Sequence, residues 1–103
     1  MPAPTERLLA AKLQQEGLIA ERWSNGPHAV YELHEHPYAK VLVVAAGSVA
    51  FTMGPERRVR SMKVGDRLEL PAHTLHSAVV GPDGVVCLEA HVRARSETSG
   101  PTS

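Results

Sequence analysis

Four of the six histidines in this 103-residue chain fall between positions 34 and 76. Histidine is the usual metal ligand and the side chain that titrates nearest neutral pH, so this cluster is where chemistry is first sought. His34 and His36 lie two residues apart. In an extended strand that spacing turns both imidazoles to one face, roughly 6.6 Å apart along the chain, while Glu35 faces the other way. A third imidazole from a different strand, His76 or His73, would close a facial set around one ion. On spacing alone, however, two surface or hydrogen-bonded core histidines are the commoner source of His-x-His.

The surroundings extend the pattern. From His34 the chain reads H-E-H-P-Y-A-K-V-L-V-V-A-A-G, ending on Gly47, and from Gly65 it reads G-D-R-L-E-L-P-A-H-T-L-H, ending on His76. Across residues 28–80 this resembles the two motifs of the cupin superfamily, with His34, His36, Gly47, Gly65, Pro71 and His76 at the expected spacing. The resemblance implies an all-β fold, a small double-stranded β-helix or jelly-roll barrel, here with one N-terminal helix. It also implies one divalent transition metal ion on His34, His36 and His76, with positions left open for water or a small molecule. Zinc, iron, nickel and manganese all suit such a ligand set.

Two positions depart from that pattern. Lys40 stands where the family usually carries a ligand Glu, and a protonated ammonium repels a divalent cation and has no lone pair to offer. His73 stands in the Pro71-Ala72-His73-Thr74 turn, where a Gly is frequent. The superfamily includes dioxygenases, isomerases, epimerases, sugar-binding modules and storage proteins, so it does not select a function. Two readings follow: a metal-dependent oxygenase or isomerase acting on a small molecule, with anions among its candidates, or a non-catalytic module that binds or senses one. A bare dimer scaffold is a third.

Other residues could serve the site. Lys40 shares a strand face with Leu42 and Val44 and either lines the pocket, where it would hold an anionic group, pairs with a carboxylate in solvent, or replaces the metal's charge in a site that has none. Tyr38 lies between the His pair and Lys40, at the expected pocket rim. His73 is a further substrate-binding candidate, with an exposed turn position as its plainer reading. In the last strand Cys87, Glu89 and His91 share one face opposite Val86, Leu88, Ala90 and Val92. If that face lined the barrel, Glu89 or His91 could act as acid or base. The expectation is the reverse: a solvated outer face, with the apolar residues inward. Trp23 is expected in the core and Cys87 as a small buried residue.

These side chains must be carried by short elements. Residues 5–16 read as the single helix, with Thr5 as N-cap, Gly17 as stop, and Leu8, Leu9 and Leu13 as a narrow apolar stripe. Eight strand-like runs follow: 18–24, 29–36, 40–45, 48–53, 57–63, 67–70, 75–80 and 85–93. Their separators include Gly47 and Gly81-Pro82-Asp83-Gly84, and their even spacing argues for an antiparallel sandwich or barrel. The expected organisation is a helical arm over 1–17, a barrel over 18–94 and a flexible tail over 95–103. Several strands are apolar on both faces, which the helix and a second copy of the chain would cover, so a homodimer is expected.

Composition bounds the rest. The chain is 43% hydrophobic and 21% charged, ordinary globular usage for one small domain. Eleven basic residues balance eleven acidic ones and the pI is near 7.0, which argues against nucleic-acid or membrane-surface partners; the small-molecule ligand is what the resemblance implies. No apolar run reaches the roughly 20 residues of a membrane span. A single Cys excludes an internal disulfide and points to the cytoplasm.

Overall fold

The computed structural model describes residues 4–92; the tail expected over 95–103 lies outside the described residues. Helix α1 (Pro4–Gln15) starts one residue before Thr5. Proline suits a first helical position because no N–H needs a partner there, so Thr5 falls inside the first turn. The stop at Gly17 is as expected. With φ at +83° it lets Leu18 N–H donate to the Leu13 carbonyl at 3.0 Å and its own N–H donate to that of Gln14 at 2.9 Å. No helix among the described residues is long and apolar enough to cross a membrane.

Six strands follow: β1 (Glu21–Asn25), β2 (Val30–His34), β3 (Ala39–Met53), β4 (Arg58–Lys63), β5 (Arg67–Leu70) and β6 (His76–Val92). The eight expected runs become six because β3 and β6 continue through the glycines read as turns. These two long strands pair antiparallel from Ala39↔Val92 to Met53↔His76. Strands β1 and β5 flank one half of the ribbon, β2 and β4 the other. One six-stranded sheet is thereby rolled into two four-stranded halves, the double-stranded β-helix that the motifs imply.

The bend sits at glycines. Gly47 and Gly84 adopt φ of +73° and +78°, and a Cβ on Gly47 would lie 1.9 Å from the Gly84 carbonyl oxygen. The ribbon shifts register between Val44 and Ala46 and again between Gly47 and Val49. A bulge changes which positions face in. Leu42 and Val44 before the bend share one buried cluster with Val49 and Phe51 after it, and in β6 Ala78 and Val80 share it with Val85 and Cys87.

A second cluster covers the outside. Val41, Val43, Ala45 and Leu88 pack under Leu13 of α1, joined by Leu9, Ala10, Val86 and Val92. The stripe on α1 is therefore Leu9, Ala10 and Leu13, whereas Leu8 is exposed, one residue off the contact face. Arg67 holds Glu16 through two bonds at 2.7 and 2.8 Å and Arg22 holds Glu6 at 2.9 Å, tying both ends of α1 to the sheet.

The crossing at Gly47 makes a checkable claim. Gly65→Ala, at φ +91° with no atom within 4 Å of a new Cβ, is expected to cost about 1 kcal/mol of backbone strain. Gly47→Ala adds a backbone collision and is expected to cost at least about 2 kcal/mol more. Urea denaturation of the two variants beside the parent protein measures the difference.

Candidate metal centre

His34 closes β2 and His76 opens β6, and the two are direct cross-strand partners. His36 lies two residues past the end of β2, so the expected strand 29–36 is shorter than the motif. Its position comes from elsewhere: its carbonyl accepts the His73 N–H at 2.7 Å. The three rings converge, with centroids 4.7 Å apart for His34–His36, 4.2 Å for His34–His76 and 5.3 Å for His36–His76. One ring nitrogen from each lies within 4.8 Å of the others.

The tautomers follow from the partners. A carbonyl oxygen can only accept, so Nδ1–H of His34 donates to the Glu32 carbonyl at 2.6 Å and Nδ1–H of His76 to the Thr74 carbonyl at 2.8 Å. Each Nε2 then carries the free lone pair, the arrangement that orients a metal-binding imidazole. On His36, Nδ1 meets the Tyr38 hydroxyl at 3.3 Å. His76 is 2% exposed, and its Nε2 is buried with no hydrogen-bond partner. An orphaned buried acceptor carries a desolvation cost that a cation would remove, so the donor set fits a divalent ion.

Protonation is disfavoured at the same place. Burial lowers the His36 pKa, helped by the Lys40 ammonium and by His34. Burial also lowers that of His76, against the opposing pull of the Thr74 carbonyl. Both effects keep the rings neutral and able to ligate.

Beside the histidines opens a cavity of about 310 Å³. Its wall is made by Leu42, Phe51, Ala78 and the rings of Trp23 and Tyr31, with Lys40 and Glu89 among its polar groups. Lys40 is 8% exposed, with Nζ 3.4 Å from Glu89 Oε1. The same oxygen accepts from the Trp23 indole N–H at 3.0 Å. Glu89 thus faces the interior, which corrects the expectation of a solvated face. The apolar face opposite it is the one that α1 covers, so the polar face is left to line the barrel.

The remaining candidates stand at the edge. Neither Tyr38 nor His73 is among the residues lining this cavity. Tyr38 is stacked between His36 and His91, 5.0 and 4.0 Å away. His73 is exposed at φ +62° with its ring 3.1 Å from Glu35, so the turn that was its plainer reading is where it stands, and only its backbone supports the site. Trp23 and Tyr31, an edge-to-face pair 5.6 Å apart, form a cavity wall that the sequence reading did not assign. The parity linking Trp23 to Asn25 was visible, but nothing local said which face pointed in.

No family model matches the chain, and no curated protein matches it. Its structure is similar to that of KdgF from Halomonas sp., at 27% identity and TM-score 0.62, covering 78% of this chain and 73% of that one. It is also similar to a putative mannose-6-phosphate isomerase from Ralstonia eutropha, at 26% identity and TM-score 0.65, covering 77% of each chain. An RmlC-like cupin from Shewanella frigidimarina aligns at 24% identity and TM-score 0.64, over 78% of this chain and 69% of that one.

Two outcomes follow. Cys87 is fully buried and, by burial first and the nearby Glu89 second, its thiol is pushed up to about 12, so the folded protein is expected to resist thiol-specific reagents until denatured. For the imidazoles, a folded pKa lowered from 6.5 means the unfolded chain binds protons more readily. Their contribution to stability is complete above pH 6.5 and is lost as pH falls through the lowered values. Denaturation midpoints of chelator-treated protein should therefore drop from about pH 7.5 to about pH 5, with a flatter dependence in His76→Gln.

Proposed function

This chain belongs to the cupin superfamily, and from that premise we propose that it holds one divalent transition metal ion on His34, His36 and His76 and isomerises a small molecule in the adjoining cavity. The observation that carries the reading is the buried, partnerless Nε2 of His76, aimed with two other imidazoles at one point. When bound, the ion supplies Lewis-acid polarisation of a substrate carbonyl or enolate oxygen.

The chain's own residues supply the proton chemistry. Glu89 offers a carboxylate inside the cavity, held in place by the Trp23 N–H and the Lys40 ammonium. It is the group to take a proton from a carbon beside the carbonyl and return it to the neighbouring carbon. Lys40 is the cation placed to donate to an oxygen that gains negative charge. The apolar wall limits the water around both. An acid–base pair of this kind favours isomerisation over oxygenation, which would not need it.

Two further expectations belong to the same reading. Val30 and Val79 are cross-strand partners left exposed on the half of the barrel that α1 does not cover, which supports a homodimer. The buried unpaired thiol of Cys87 suits a reducing cytoplasm.

Untagged protein is expected to carry about one equivalent of a single metal by elemental analysis, lost in His34→Ala and in His76→Ala. Loaded protein is expected to exchange protons beside the carbonyl of small ketones for deuterium, followed by NMR. Glu89→Gln should slow that exchange by about 100-fold or more while keeping the metal. Metal without exchange would leave a binding module; no metal in any preparation would remove the site.

A further inference from the structure

We propose that the cavity is built for a small monocarboxylate with an apolar, ring-sized body, its carboxylate taken by Lys40 beside the three-histidine centre; this rests on the metal reading above. Charge is the first reason. Lys40 and Glu89 cancel, and an imidazole ligates a metal as a neutral group. A divalent ion therefore leaves two uncompensated positive charges in a half-enclosed apolar space, which favours an anionic ligand there.

Lys40 has donors to spare. An ammonium offers three, and among the described residues its side chain meets one acceptor, Glu89 Oε1, at a long 3.4 Å. Being 8% exposed, it has little water to satisfy the others.

The wall decides the body of the ligand. Leu42, Phe51 and Ala78 offer no hydrogen bonds, the Trp23 N–H is engaged by Glu89, and the Asn25 amide donates to the Tyr31 oxygen, which leaves the Tyr31 O–H, Asn25 Oδ1 and the spare groups of Lys40 and Glu89 as the polar points of the wall. The several hydroxyls of a sugar phosphate would lie mostly against apolar wall, at a cost for each one left unpaired. A cavity of 310 Å³ holds about ten waters at ~30 Å³ each, space for one ring with a short acid chain. The occupant is thus of a different class from the sugar phosphate named for one of the similar structures.

The chain contains its own reporter, because its single tryptophan, Trp23, lines the cavity. Zinc content is measured first, then Trp23 fluorescence is titrated with 3-phenylpropanoate, 3-phenylpropanol and mannose 6-phosphate. The acid is expected to bind about tenfold or more tighter than both others. Lys40→Met should cut the preference for acid over alcohol by about fivefold or more while zinc stays at one equivalent. Lys40→Met/Glu89→Gln, which strands no carboxylate and leaves the ion's charge in place, should do the same. An alcohol binding the parent protein as tightly as the acid, a tighter sugar phosphate, or a preference undiminished in the variants overturns the inference and leaves the metal reading standing. A parent protein that takes up neither zinc nor iron, nickel or manganese overturns both.

Discussion

At the bend of the β3–β6 ribbon the backbone is packed too tightly for side chains: a Cβ on Gly47 would collide with the Gly84 carbonyl, and one on Gly84 would lie 2.9 Å from the Asn25 carbonyl of β1. The positive φ values there let each long strand bend, shift register and resume its pairing on the far side. Everything in the site depends on that bend. It folds the ribbon so that His76, at one end of β6, and Glu89, near the other, both face one interior. A straight ribbon would place them on opposite faces, since they differ by an odd number of residues.

Helix α1 determines which interior that is. Both faces of the C-terminal half of β6 are largely buried, and burial must be satisfied twice. The helix takes Val41, Val43 and Leu88, held down at its two ends by Glu6–Arg22 and Glu16–Arg67. Leu42, Val44 and Cys87 then pack inward with Lys40 and Glu89 above them. A buried ion pair gains little over a well-packed apolar pair, because desolvation offsets the attraction. The location of this one, in the wall of a cavity beside three imidazoles, is better accounted for by chemistry than by stability.

Second contacts orient the three histidines as the proposed ion would need them. The Glu32 and Thr74 carbonyls fix the Nδ1 protons of His34 and His76, while the His73 backbone holds the carbonyl of His36. Rings so anchored have lost most of their freedom before any ion arrives, which reduces the entropy lost on binding. Tyr38, stacked between His36 and His91, braces the third ring from the outside.

Much of this was legible in the sequence. The helix and its glycine stop, the β architecture, and the convergence of His34, His36 and His76 follow from capping chemistry, strand spacing and two motifs in register. Lys40 on the face of Leu42 and Val44 follows from strand parity alone, because no bulge lies between them. The side taken by Glu89 did not. Local alternation says that Glu89 and Leu88 point apart, but not which of them points in, and the usual rule that polar faces meet water gave the wrong side. Parity is a local property of a strand, whereas inside and outside are set by what covers each face. Here the cover is a helix more than seventy residues away in the chain, and the bend at Gly47 and Gly84 reverses the parity between the two halves of each long strand. Only the folded chain could decide that.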